Sequence, residues 1–587
     1  MSRPPEDSQT DPSVALLDNP IPGASTLVEI LAWRATHQPD RLAYRFLLDG
    51  KARDDRLTYA ALDARARSIS ARLRALGETG DRALLVFPPG LDLVSALFGC
   101  WYAGMIAVPT YPPGARRTDQ ASRRLISTVE DAEPVAVLTV SSMVETFVAL
   151  SATEPALLRL PIELIDEPVV EGGVPIRTTP EDIALLQYTS GSTMTPRGVV
   201  VRHGNLMHNL AAIQERFGTT PDSRGVIWLP PYHDMGLIGG VLAPAYTGMP
   251  VTLMSPLHFL QRPLRWLQAV SSFKAHVSGG PDFAFELCVQ RVTPEERDQL
   301  DLSHWDVAFN GAEPVRASTL ERFATYFEPS GFRPEAFYPC YGLAEATLIV
   351  SGGVKSQRPT VRRYRIDAEA GRVEPAASEA ADATVLVGCG RSIGGQEIVI
   401  TDPETGTHRP PHEIGEIRVT GPSVATEYWN RTEESDRVYR GRMEGDTRRF
   451  LRTGDLGFLS DGELFVVGRL KDLVIIDGQN HHPEDIERTV VGSHESLRDR
   501  GCAAFSIDTP AGEQLVVVAE VRRRPAPDLD AVARAVRAAV SSRHNLRIHD
   551  LSLLDARISR TSSGKIQRHA CRREYLHASS AKERADP

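Results

Sequence analysis

YTSGSTMTPRGV, residues 188–199, gathers two serines, two threonines and a glycine into the five positions Thr189 to Thr193. Their hydroxyl and backbone N–H groups are donors of the kind that surround a polyphosphate. Taken alone, the pentapeptide fits a plain Ser/Thr turn equally well. Met194 then stands where phosphate loops usually place glycine, and it lacks glycine's freedom to adopt positive φ.

Outward from this loop, 587 residues are too many for one ordinary core, so at least two domains are expected. An apolar fraction of 42% with 24% charged residues describes a soluble globular chain, and the net charge of −10 gives no overall attraction for nucleic acid or anionic lipid. Six cysteines (Cys100, Cys288, Cys340, Cys389, Cys502, Cys571) lie scattered without paired spacing, which reads as reduced thiols of a cytoplasmic protein. The opening MSRPPEDSQTDPSVALLDNP is polar and Pro-rich with no apolar run; it is not a signal peptide, and a flexible tail is expected over residues 1–22. Met235 to Pro256 is uncharged but contains Pro244, Pro250 and four glycines, so a buried helix, a turn and a strand are expected there instead of a membrane span.

Secondary-structure signals alternate through the first four-fifths. Leu62, Ala66, Ile69, Leu73 and Leu76 fall at helical spacing, RALLVF reads as a buried strand, Leu91 to Gly104 as a helix and IAVPTY as another strand. That is βαβ order, which produces parallel sheets. Near Gly468 the pattern changes to a small α+β unit: LVIIDG, a helix opening at Pro483, EQLVVVAEV, and a helix from about Leu529. The fold class expected is α/β, a large multi-subdomain N-terminal domain over 23–468 followed by a small C-terminal α+β domain over 469–578 and a tail over 579–587.

Several motifs fall away. GCGRSIG follows the strand ATVLV, but its third glycine is one place late and the strand EIVITD follows where a dinucleotide site needs a helix. There is no GxSxG elbow to make a hydrolase of His233 and Asp234, no Walker lysine motif and no HExxH. His481 and His482 precede Pro483, Glu484 and Asp485, an ordinary helix entry.

Four further segments follow the loop in order: YGLAEAT (Tyr341–Thr347), TGDLG (Thr453–Gly457), GRLKD (Gly468–Asp472) and RTSSGKIQR (Arg560–Arg568). Together the five resemble the adenylate-forming superfamily of acyl-CoA synthetases, luciferases and nonribosomal adenylation domains, over residues 25 to 575 or so. The resemblance implies ATP-dependent conversion of a carboxylate to an acyl-adenylate, with cations and donors gathered where phosphate charge develops. It assigns Thr189, Ser190, Gly191, Ser192 and Thr193 to the departing diphosphate and Glu345 to Mg²⁺. Tyr341 and Gly342 go to adenine, Asp455 to the ribose hydroxyls, Arg469 to ribose or phosphate, and Lys565 to a bridge between carboxylate and α-phosphate. Asn310, Gly311 and Ala312 join the nucleotide and acyl wall, Lys471 is the hinge of the small domain, and Arg197 takes the place of the family's usual lysine, keeping the charge and adding a fork for phosphate.

Within the superfamily, GCWYAGMIAVPTYPP, LPPYHDMGLIGG, AFNGAEPVR, FYPCYGLAEATLIVSGG and GQNHHPEDIE look most like the fatty acyl-AMP ligases, which pass the acyl group to the phosphopantetheine of an acyl carrier protein and largely ignore free CoA. About forty residues separate Thr347 from LVGCG, roughly twice the length expected in acyl-CoA synthetases, and match that branch's insertion at about 355–382. In VRRYRID, Val361, Tyr364 and Ile366 among three arginines suggest a small buried stripe that packs the insertion between the large domain and the moving one. The resemblance to this branch implies tolerance of larger residues at the loop tip, which makes Met194 a variation with consequences for ATP affinity or rate. HVSGGPDFAFELC matches a tunnel-lining segment, so Ser278, Gly279 and Asp282 are expected at the acyl pocket, with His233 as a candidate gate. Arg557 to Arg573 carries six basic residues and no acid, which suggests either a solvated face or a docking strip for an acidic carrier. No phosphopantetheine attachment segment follows residue 575, so the carrier is expected in trans. An acyl-CoA synthetase and a catalytically weak adenylate-binding module are the alternatives; intact Glu345, Asp455 and Lys565 argue against the second.

Overall fold

The strand Arg82–Val86 buries every residue from Ala83 onward, and the helix Asp92–Tyr102 buries every one from Leu93 onward. A strand apolar on both faces is one covered on both, and a helix apolar all round lies inside the core. The computed structural model describes residues 20–113, 120–152, 154–167, 172–189, 196–367, 371–377, 380, 383–443, 445–476, 479–509, 512–522, 527–560 and 566–583.

Among them, Arg82–Val86 belongs to a six-stranded sheet in the order Ile162–Leu164, Ala136–Thr139, Arg82–Val86, Ile106–Thr110, Ile183–Thr189 and Arg197–Arg202. Its pairs are parallel except the last, an antiparallel hairpin in which Thr189 faces Arg197. A nine-stranded sheet has Val251–Met254, Gly225–Ile227, Val277–Gly280, Val307–Asn310 and Phe337–Gly342 in parallel at its centre, and antiparallel strands at both edges. One apolar core joins residues of both sheets. An antiparallel sheet follows, built on Glu397–Thr401, Gly415–Thr420, the long strand Asp446–Ser460 and its hairpin partner Glu463–Arg469.

The large core includes Leu464, and a separate one begins at Val474. The second comprises the sheet Leu497–Thr509, Gly512–Val521 and Ile548–Leu554 under the helices Pro483–Gly492 and Leu529–His544. Two terminal expectations change. Ile21 is packed in the main core, so the packed chain starts before residue 23. The last helix runs Arg568–Glu583 with no break at 578.

Met235–Leu242, expected as an ordinary helix, is wound as a π-helix, a geometry often found at functional sites. Glycine permits its close approach to the preceding turn: a Cβ at Gly236 would lie 2.0 Å from the Pro230 carbonyl oxygen. The expected turn and strand follow it, the strand at Val251–Met254.

The insertion forms its own sheet, Val361–Asp367 between Arg372–Pro375 and Thr384–Val387. Tyr364 is buried against Phe458 and Phe465, with ring centroids 5.0 and 5.4 Å away, and Ile366 packs beside it. Val361 does not join that stripe and is 48% exposed, because residues an odd number of places apart on a strand face opposite ways. Arg362 pairs with Asp461 and Arg372 with Glu413. The insertion is thus seated on the Asp446–Ser460/Glu463–Arg469 hairpin, where its stripe of Tyr364 and Ile366 is packed.

Candidate active site

Strand order alone brings the motifs together. Tyr341 ends a central strand of the nine-stranded sheet, while Asp455 and Arg469 are cross-strand partners in the antiparallel sheet. The Tyr341 hydroxyl donates to Asp455 Oδ2 at 2.8 Å, and Arg469 Nε donates to Oδ1 at 2.9 Å. The Asp455 carboxylate raises the proton affinity of Arg469 and keeps it charged. Just beyond Tyr341, the half-buried Glu345 lies next to Tyr428, whose hydroxyl donates to Oε1 at 2.7 Å. Burial raises its pKa. Two residues near these strands hold backbone conformations uncommon without glycine, Ala312 at φ +67° and Thr347 at φ +68°.

All of these except Thr347 border one cleft of about 1680 Å³. Its wall also includes the hairpin that carries Thr189 and Arg197; Ser190, Gly191, Ser192, Thr193 and Met194 lie outside the described residues. Arg197 pairs with Glu434 at 2.7 Å and sits over the Tyr428 ring at 5.6 Å. Lys565 also lies outside the described residues, but Arg560 and Ile566, joined by an isolated β-bridge, line the cleft. Lys471 lines it too. Its side chain is reached by water yet enclosed by the cleft walls, and this burial, with Arg469 next to it, brings its pKa down to about 8.

The apolar end of the cleft is made by Ile213, Phe217, Gly239, Phe309, Leu348 and Ile349. Three residues expected there are elsewhere. Ser278 is in mid-sheet with its hydroxyl engaged by Trp266 Nε1 at 2.8 Å and the Val226 carbonyl at 2.5 Å. A Cβ at Gly279 would strike the Phe309 carbonyl oxygen. Asp282 is fully buried, bonded by Asn310 Nδ2 at 3.3 Å and Thr319 Oγ1 at 3.0 Å. Burial, then Glu313, pushes Asp282 up to about 6. Asn310 and Gly311 pack behind Ala312, which does reach the cleft.

His233 Nδ1 is 2.5 Å from Asp234 Oδ1. It borders the cleft and also a neighbouring cavity of about 1160 Å³, so it stands where the two meet. The sequence reading missed Tyr428, Glu434, Arg437, Glu416 and Arg452, which complete the cleft. None falls in a motif that was read, except that Arg452 directly precedes TGDLG, an adjacency that could have found it. The basic run near the C-terminus is not one exposed face: Arg568 is held by Asp472, Glu484 and Glu487, and Arg560 lies 3.6 Å from Glu520.

Residues 31–429 match the AMP-binding enzyme family, and residues 471–584 match the AMP domain of Disco-interacting protein 2-like proteins. The chain is 42% identical over 567 residues to JamA of Moorena producens, named a medium-chain-fatty-acid–[acyl-carrier-protein] ligase, an alignment covering 94% of this chain and 96% of JamA. It is 36% identical to FadD26 of Mycobacterium marinum, named a long-chain-fatty-acid–AMP ligase, covering 94% and 97%. Among solved structures, a fatty acyl-adenylate ligase from Legionella pneumophila in complex with acyl adenylate and pyrophosphate superposes with a TM-score of 0.74 at 41% identity, over 94% of this chain and 96% of that one.

Proposed function

The chain belongs to the AMP-binding enzyme family, with the fatty acyl-AMP ligases, and is an ATP-using, adenylate-forming ligase; on that premise we propose that it activates a medium- or long-chain fatty acid and delivers it to the phosphopantetheine thiol of a carrier protein supplied in trans. One observation carries the reading: a single cleft joins the Tyr341–Asp455–Arg469 group, Glu345, the stem of the Ser/Thr-rich loop and an apolar lining.

Adenine stacks on Tyr341, and the ribose hydroxyls donate to Asp455, whose charge Arg469 fixes in place. The fatty-acid carboxylate oxygen attacks the α-phosphorus, the bond to the bridging oxygen breaks, and diphosphate leaves toward Thr189 and Arg197. Lys565 holds carboxylate and α-phosphate together. In the second step the carrier thiol, having lost its proton, attacks the acyl carbonyl and AMP departs.

Glu345 suits Mg²⁺. It is a half-buried carboxylate on the cleft wall, held in place by the Tyr428 hydroxyl, and a hard oxygen donor of the kind that cation takes. Mg²⁺ is commonly bound by one or two carboxylates together with substrate phosphates. Mg²⁺ there would neutralise phosphate charge.

The test supplies ATP, Mg²⁺ and saturated acids of graded length, and measures diphosphate release and thioester formation on CoA and on a holo-carrier. Diphosphate release with thioester on the carrier and little on CoA is expected. Equal rates on CoA would make the chain an acyl-CoA synthetase, and no diphosphate release would leave only nucleotide binding.

A further inference from the structure

Arg500, on the strand Leu497–Thr509 of the small unit, reaches across to the large one. Its guanidinium pairs with Glu313 and lies 3.7 Å from Asp282, and it sits over the Phe283 ring at 5.8 Å. The three polar side chains are 17%, 6% and 1% exposed, so water screens them little. Next to Arg500, Asp499 accepts from Gln290 Nε2 at 3.4 Å. Arg500 itself holds φ +59°, a conformation unfavourable for a residue with a side chain, which persists where its surroundings over-determine it.

The same residue is tied to the cleft from its other side. The Arg500 carbonyl accepts from Arg560 Nη2 at 2.6 Å, and Arg560 forms the β-bridge to Ile566 that closes the segment in which the sequence places Lys565. Arg560 also neighbours Glu520, which accepts from the Ile558 backbone N–H at 3.1 Å. A continuous chain of contacts therefore runs from Glu313 and Asp282 through Arg500 and Arg560 to the stem of the Lys565 segment.

We propose that Arg500 is a positioning residue for adenylation: by anchoring on Glu313 and Asp282 it registers the small unit so that the Arg560–Ile566 stem stands over the cleft. The inference rests on the proposed ligase reaction. Arg500 touches no reacting atom. Its effect falls on the first half-reaction, the step to which the proposed mechanism assigns Lys565; acyl transfer from adenylate already made is assigned no use of that lysine.

Arg500→Gln, Glu313→Gln and the exchanged pair Arg500→Glu with Glu313→Arg are compared with the parent enzyme. Diphosphate release with ATP and fatty acid reports adenylation; thioester formation from supplied acyl-adenylate and holo-carrier reports transfer. Each single change is expected to lower kcat for diphosphate release about tenfold, the size of a registered population lost to an open one, with KM for ATP within about twofold. Transfer is expected within about twofold of the parent, and the exchanged pair should recover at least part of the lost adenylation. Parental adenylation in Arg500→Gln overturns the proposal, as does an equal loss in both half-reactions, which would mark a merely structural role. A parent enzyme that releases no diphosphate would instead overturn the ligase reading itself.

Discussion

Asp455→Asn isolates the charge at the centre of the cleft while keeping the side chain's shape. In the parent, both carboxylate oxygens are engaged, Oδ2 by the Tyr341 hydroxyl and Oδ1 by Arg469 Nε, and only 6% of the residue is exposed. An asparagine amide must turn its NH₂ toward one of these donors, and it accepts ribose hydroxyls without charge. Hydrogen bonds to charged groups contribute about 1.5–3 kcal/mol, neutral ones about 0.5–1.5. Two ribose contacts moved from the first class to the second lose roughly 2–3 kcal/mol together, or about 30–150-fold in kcat/KM for ATP at about 1.36 kcal/mol per decade. The assay is diphosphate release against ATP concentration at saturating fatty acid, with thermal unfolding as a check on the fold. Arg469 is 47% exposed, so the charge left without its partner is solvent-screened and the unfolding temperature should move little. A folded Asp455→Asn enzyme within about threefold of the parent in kcat/KM would refute the ribose assignment.

Lys565→Ala is expected to slow diphosphate release about 10²–10³-fold, the effect of losing one preorganised cation, and a parental rate would remove Lys565 from the chemistry. Lys471 lines the proposed nucleotide cleft and, brought down to about 8, loses its charge as pH rises through that value; if that charge faces ATP phosphate, kcat/KM for ATP should fall above about pH 8 and Lys471→Arg should move that limb upward, whereas an unmoved limb refutes a role for this charge in ATP binding. The sign for stability is opposite: a depressed lysine favours the neutral form in the folded state, so its contribution to stability rises from about pH 8 toward the ordinary lysine range and its titration does not itself unfold the protein; thermal unfolding across the same pH range checks this. Tyr364→Ala should cost about 3–5 kcal/mol in denaturant unfolding by emptying the contact with Phe458 and Phe465. Tyr364→Phe should be neutral or stabilising by about 1 kcal/mol, since the buried hydroxyl has no hydrogen-bond partner among the described residues; a larger loss for Phe than for Ala would refute that packing.

From the sequence alone came what depends on local order. Apolar runs such as RALLV specify strands covered on both faces, and helical spacing from Leu62 to Leu73 specifies a helix, because burial must follow the period of the backbone. The ordered motifs named Tyr341, Glu345, Asp455 and Arg469, which the fold brings to one cleft. What the chain could not state by itself is which distant side chains meet. Tyr428 lies 83 residues from the Glu345 it bonds, and Arg500 lies 187 from Glu313. Nothing in composition or spacing encodes such a pair, since it follows from strand order and from how two cores dock. The same reason moved Ser278 and Asp282 from the expected pocket into internal hydrogen bonds: their motif was legible, but the direction their side chains face was decided only by the neighbouring strands and helices.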